Sequence, residues 1–280
     1  MNSLYMAIGT TKQNVHQRLD RLLNRAEEAR QMEVIIHQVR KDHPGMGMRQ
    51  LYTKLQPDSM GRDRFYAWYR QNGFTIKKTK NWRRTTDSSG VIRFPNKVEG
   101  KALTGVNQVW VSDITYYDLG EKFFYLTFIM DQYSRMIKGY SVSKTLKTVD
   151  TTIPALEQAL PHLRASDRPI IHSDGGGQYY CQAFLKLTKD RFINSMGVSA
   201  YENPYAERLN GTIKNQYLKG YRPTNYLELT QMTAKAVKMY NDAKPHDGLG
   251  GLTPKLFEQN ELSNDIKIDV KPYPKTVNSI

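Results

Sequence analysis

The stretch Val106–Val142, VNQVWVSDITYYDLGEKFFYLTFIMDQYSRMIKGYSV, decides the fold. Its runs Gln108–Tyr117, Phe123–Met130 and Met136–Val142 are dense in Val, Ile, Phe, Tyr and Thr, which pack well on a pleated surface. DQYSR (Asp131 to Arg135) separates the second run from the third and suits a hairpin turn. Three successive strands are expected. Downstream the period changes: Thr148–Leu160 places Val149, Ile153, Leu156 and Leu160 on one helical face. Pro169–Ser173 is a short buried strand, Tyr180–Thr188 a helix and Phe192–Ser195 another short strand. After the loop SMGVSAYENP, a long helix runs from about Pro204 to Tyr217.

Three meandering strands followed by alternating helix and strand predict a mixed five-stranded sheet with flanking helices. That is a ribonuclease-H-like α/β core, expected over residues 106–222. Small all-α helix-turn-helix units are expected before it. Residues 4–22 predict two short helices about Gly9, with Thr10 or Thr11 capping the second, so 1–30 are set apart as a helix-turn-helix-like segment. Its second helix presents Lys12 and Arg18; a plain helical hairpin fits equally. Helices at 26–40, 48–56 and 62–73 make residues 31–80 a second helix-turn-helix candidate or, alternatively, a helical spacer. Residues 81–105 are read as a basic linker, and Lys77, Lys78, Lys80, Arg83 and Arg84 are expected on a phosphate backbone. Residues 223–280 predict a helix at Leu227–Tyr240, a Pro/Gly-rich loop and a polar tail.

Charge points to the ligand. The 280 residues carry a net +14. Residues 1–105 hold 20 Lys+Arg against 9 Asp+Glu and residues 106–280 hold 21 against 18, so phosphate contacts are expected mainly in the first third. FFYLTFIM is too short to span a bilayer. A lone Cys181 excludes an internal disulfide framework and a Cys-rich zinc site. With no basic-then-apolar start, the expected location is bacterial cytoplasm, associated with the nucleoid.

Asp113 and Asp174 each follow an apolar run at a strand end, and Glu207 lies in a helical segment. Two acids on strand ends and one on a helix suit hard divalent cations, so all three are the candidate catalytic and metal residues. Asn203 and Lys214 share a face with Glu207 by helical spacing if the helix already includes Asn203, which is counted among the DNA-contact candidates. Arg208 and Asn210 flank the Glu and are candidates for holding phosphate or the active-site loop. His172 is placed by alternation on the side of Asp174, for support or for packing. Asp118 and Asp131 are read as turn and hairpin residues.

The blocks WVSDITYYDL, MDQYSRMIKGY, IIHSDGGGQYY, ENPYAERLNGTIKNQYL and YNDAKPHDGLGGLTP resemble, in order, those of the OrfB-type DDE transposases of insertion sequence family 3, relatives of the retroviral integrase core. The resemblance covers roughly residues 30–260. It implies a transposase that cleaves element ends and transfers strands with two Mg²⁺ or Mn²⁺ ions at Asp113, Asp174 and Glu207. It implies double-stranded DNA as partner (terminal inverted repeats and target), a homo-oligomer on DNA, and in many members an upstream DNA-binding product fused by frameshifting. It also implies that Lys214 touches the DNA end; a solvated lysine is the plain alternative. His246 matches a family position whose role the sequence does not reveal. The 33 positions from Asp174 to Glu207 are fewer than usual, Glu202 replaces an Asp and Pro204 an Ala. A non-catalytic DNA-binding regulator and a ribonuclease-H-fold nuclease are the competing readings.

Overall fold

The fold comes from a computed structural model that describes Tyr5 and residues 9–76, 94–120, 122–197 and 202–262. Five strands form one sheet: β1 (Val109–Asp118), β2 (Phe123–Asp131), β3 (Ile137–Ser143), β4 (Ile170–Ser173) and β5 (Ile193–Met196). Their order is β3-β2-β1-β4-β5. The first three pair antiparallel, whereas β4 runs parallel to β1 and β5 parallel to β4. Antiparallel neighbours need only tight turns, but parallel ones need crossovers. Helices α4 (Thr152–Ala159) and α5 (Gln182–Thr188) lie in those crossovers. This is the ribonuclease-H-like sheet the sequence predicts.

β1 lies between β2 and β4, so Val109, Trp110 and Val111 are each no more than 1% exposed. Alternation sends Trp110 and Ile171 to one face, with α4 and α5. It sends Val109, Val111 and Ile170 to the other, under α6 (Pro204–Thr212), α7 (Tyr226–Ala243) and α8 (Pro254–Leu262). The close crossing of α4 over β3 depends on Gly139, where a Cβ would sit 2.0 Å from the Ala155 carbonyl oxygen. α7, beyond the boundary expected at residue 222, buries Leu229, Ala236, Val237 and Tyr240 in the same core as β1 and β2, alongside α6 and α8. Lys138 on β3 is fully buried and ion-paired with Glu258 of α8, which also accepts a hydrogen bond from Ser134. No described helix is long and apolar enough to cross a membrane.

The N-terminal half differs from expectation at one point. Thr11 does cap a helix, its Oγ1 accepting from the Asn14 amide at 3.1 Å. That helix, α1, then runs unbroken from Lys12 to Asp42, because no Gly or Pro interrupts it before His43-Pro44. The boundary expected between residues 30 and 31 therefore falls inside a helix. α2 (Met48–Leu55) and α3 (Arg62–Gln71) pack on its second half. Their core is Met32, Ile36, Met46, Leu51, Met60, Phe65, Tyr69 and Phe74. Arg40 closes it by donating to the Phe74 carbonyl at 2.6 Å and to the Tyr69 hydroxyl at 2.8 Å.

The segment read as linker also joins the core from Phe94 onward. Val98 and Leu103 are buried under the sheet, and the Lys97 amide donates to Ser195 Oγ at 2.9 Å. Its apolar residues, not its polar ones, decide this.

The helical unit meets the core through His43-Pro44-Gly45. α6 continues into a π turn, Ile213–Leu218, and a last α turn, Lys219–Tyr221. The Gly45 amide donates to the Gln216 carbonyl at 2.8 Å. A Cβ at position 45 would lie 2.4 Å from Gln216 Cα, so only glycine permits the approach. His43 Nδ1 lies 3.1 Å from the Tyr217 hydroxyl, and burial pulls the ring's pKa down to about 4, so it is neutral. Lys235 pairs with Asp42 at 2.8 Å across the same seam.

Candidate active site

Asp113 is not at a strand end as expected; β1 extends five residues beyond it. What ends nearby is the pairing with β4, whose last registered pair is Val111 with His172. Two residues further along stand Asp113, still within β1, and Asp174, one residue past the end of β4. Alternation gives Asp113 the side of Val111, the face under α6, and both acids lie past the carboxyl end of the β1–β4 pairing. Open α/β sheets form their sites at such a place.

α6 brings the third acid. Asn203 is its N-cap and Pro204 its first residue. Glu207 follows in the first turn, where the helix dipole favours a carboxylate. Asn203 is buried, and its Nδ2 donates to the Ser112 carbonyl at 2.9 Å. It therefore fastens the start of α6 to β1, beside Asp113, and does not share a helical face with Glu207 as the spacing suggested. Asn210, one turn after Glu207, donates from Nδ2 to Asp113 Oδ2 at 2.7 Å. It too is spent inside the protein and not on phosphate.

The other partners of the two aspartates come from close by. Asp113 Oδ1 accepts from the Ile114 amide at 2.9 Å, and Asp174 Oδ1 from the Gly176 amide at 3.1 Å. Tyr180 donates its hydroxyl to the Asp174 carbonyl at 2.7 Å, and Tyr179 Oη lies 2.9 Å from Ser112 Oγ. The sequence reading quoted GGGQYY as a motif but missed these two tyrosine roles; an aromatic pair one residue beyond the glycine run, across Gln178, was the available signal. His172 Nε2 lies 2.8 Å from the Glu202 carbonyl, which can only accept, so that nitrogen carries the proton. Nδ1 then accepts from Ser195 Oγ at 2.9 Å. Burial lowers the pKa of this ring, and as a neutral group it ties β4 and β5 to the segment before α6.

Electrostatics link the three acids. Burial pushes the Asp113 carboxyl up to about 8, and repulsion from Asp174 and then Glu207 adds to it against the pull of Ile114 and Asn210. Burial also raises Asp174 and Glu207. Among the described residues, no three or more His, Cys, Asp or Glu side chains are gathered so as to hold a metal ion. Asp174 and Glu207 are both within electrostatic reach of Asp113. Lys214 is half-buried, its Nζ donating to Thr115 Oγ1 at 3.1 Å and lying 4.6 Å from the Tyr116 ring centre. Burial lowers its pKa while Asp113 favours its charged form. Its ammonium thus stands two residues along β1 from Asp113.

The remaining candidates lie elsewhere. Arg208 is exposed beside Glu207. Lys12 and Arg18 are exposed on the first turns of α1, roughly 45 Å of helix from His43 in the case of Lys12. They are not part of this site. Lys77, Lys78, Lys80, Arg83 and Arg84 lie outside the described residues. Asp131 is the buried hairpin residue expected, accepting from the Asn107 amide at 2.6 Å and the Ser134 amide at 2.8 Å. His246 is stacked edge-on against Tyr240.

Two models, both described as integrase core domain, match residues 104–195 and 188–254. Over residues 104–254 the chain is an integrase core domain. By that domain it is an enzyme of the polynucleotidyl-transferase class. It is 29% identical to the insertion element IS600 uncharacterized 31 kDa protein of Shigella sonnei, over 87% of this chain and 91% of that one. It is 33% identical to the transposase for insertion sequence element IS629 of the same organism, and 31% identical to transposase InsF for insertion sequence IS3A of Escherichia coli K12. Those matches cover 63% and 57% of this chain, and only 60% and 57% of the two transposases. The resemblance to the transposases of insertion sequence family 3 therefore stands. The HTLV-2 integrase catalytic core domain in complex with magnesium superposes with a TM-score of 0.46, at 25% identity, over 56% of this chain and 99% of that one.

Proposed function

We propose that this chain is an active DDE transposase, which cleaves the ends of an insertion sequence and joins them to new DNA. The observation that carries the reading is the electrostatic coupling of Asp113 to Asp174 and Glu207, three acids brought from β1, the end of β4 and α6. An all-oxygen donor set of two largely buried aspartates and an exposed glutamate, with Asp174 and Glu207 both raising the Asp113 carboxyl, fits hard divalent cations. Two such ions, Mg²⁺ or Mn²⁺, would activate the attacking oxygen and relieve charge on the leaving one. The protein's own part is positional. Asn210 and the Ile114 amide hold the Asp113 carboxylate with both oxygens engaged, and the Gly176 amide orients Asp174. Asn203 sets the height of α6 and so of Glu207 above β1. Glu207 alone keeps freedom to close on the site, being exposed. Lys214, an ammonium two residues from Asp113, is placed to meet a scissile phosphate. α1 to α3, with Lys12 and Arg18, are assigned to terminal-repeat binding. A multimer on two DNA ends and an upstream fused product complete the partners.

The relatives named as transposases of insertion sequences support the same reading. The test compares wild type with Glu207→Gln on supercoiled plasmid bearing an element end, with Mg²⁺, Mn²⁺ or chelator. Strand-joined products that need both metal and Glu207 sustain the proposal. Binding by both proteins without any cutting would hand the function to a DNA-binding regulator, and nicking without joining to a nuclease.

A further inference from the structure

The helical unit and α6 enclose a groove of about 1150 Å³. Clefts for small ligands hold roughly 300–1,000 Å³, so this one suits an extended polymer. Its walls come from different parts of the chain and agree in sign. Arg49 of α2 and Arg70 of α3 line one wall, Arg208 of α6 and Lys219 of its last turn the other. All four are exposed, and none forms an ion pair among the described residues. Asp247 is the single acid among the lining residues.

Two further features add to this. Arg208 and Lys219 are eleven residues apart along α6 and its π turn, and both line the groove, with Gly211 and Thr212 between them. That stretch of helix is roughly 15 Å long, four to five nucleotide steps of about 3.4 Å. Opposite, α2 begins at the groove with Gly47 as N-cap, no side-chain cap and no acid in its first turn. Its free amides and positive dipole end add to the arginines there.

We propose that this groove seats the phosphate backbone of the DNA duplex whose end lies at Asp113, Asp174 and Glu207. The inference rests on the transposase reading and deepens it. Arg208 follows Glu207 on α6, so the groove begins one residue from the active site, close enough for one duplex to reach both. The DNA then bridges the helical unit and the core, with neither alone completing the track.

The test is duplex DNA binding by the full chain in chelator, so that nothing is cut, followed by fluorescence anisotropy across a salt series. Arg49→Gln, Arg70→Gln and Lys219→Gln are compared with wild type. Lys186→Gln, on α5 across the sheet, is the control, and thermal unfolding verifies that each variant is folded. Each groove variant should lower the slope of log affinity against log salt by about 0.9, and the triple variant by about 3. Lys186→Gln should leave it unchanged. Folded groove variants with the wild-type slope would overturn the groove and leave the transposase reading intact. Reduced slopes in a protein that never joins strands would keep the groove and overturn the transposase. Absence of salt-dependent binding in the wild type would end both.

Discussion

In chelator, the protein should lose stability as pH rises from 5.5 to 8.5, and Asp113→Asn should abolish most of that loss. The folded carboxyl at about 8 holds its proton far more tightly than the ordinary 3.8 of the unfolded chain. The resulting stabilisation is present at low pH and disappears as pH climbs through about 8. At pH 5.5 the fold favours the protonated form by about 2.5 pH units, and at pH 8.5 by almost none. At 1.36 kcal/mol per unit this is a loss of about 3 kcal/mol. For a chain of this size, that lowers the melting temperature by roughly 6–12 °C. The assay is thermal unfolding by circular dichroism at both pH values, for wild type and Asp113→Asn. Groups away from Asp174 and Glu207 contribute equally to both proteins and cancel in the difference. Millimolar Mg²⁺ should restore the wild type at pH 8.5 and do little at pH 5.5, because the ligands must be ionised to bind it. Parallel pH profiles for the two proteins would refute the argument that Asp113 is the strained carboxyl.

Two other outcomes are expected. Glu258→Ala leaves the fully buried Lys138 without its partner and should cost about 3–5 kcal/mol in chemical denaturation, and Glu258→Ala with Lys138→Met should recover most of it; equal losses in both would show that the pair is not what holds α8. Gly45→Ala forces a Cβ to 2.4 Å from the Gln216 backbone and should destabilise by about 1–3 kcal/mol, whereas Gly248→Ala, with nothing within 4 Å, should stay within about 0.5 kcal/mol; matching effects would place the seam elsewhere.

The sheet was legible because each strand is a run of β-branched and aromatic residues ended by turn chemistry. The three acids stood out in the sequence as carboxylates after apolar runs or in a helical segment, but Asp113 proves to lie within β1 and not at its end. Three features were not legible. α1 could not be told from two helices by a weak Gly9 signal, since only the lack of any breaker from Lys12 to Asp42 decides its length. Asn203 and Asn210 looked like phosphate ligands because sequence gives helical phase but not burial, and burial turned both inward onto β1. The parallel register that sets Asp113 beside Asp174 depends on the β1–β4 pairing, which is non-local. The π turn has no local sequence mark; it exists because Gly45 and His43 engage Gln216 and Tyr217 from outside the helix.

That π turn lets the helix after Glu207 carry one residue more than its path requires. Six residues at about 85° each turn the chain as far as five at about 100°, so Lys219–Tyr221 keep the face they would have on a plain α-helix one residue shorter. The surplus is taken up at the seam, where the Gln216 carbonyl accepts from Gly45 and the Tyr217 hydroxyl meets His43. A deletion between Ile213 and Leu218 should therefore leave the helix beyond it in phase and remove the grip on the helical unit. The place where the two parts of the chain hold each other is a spare residue, and it can be lost without breaking the helix.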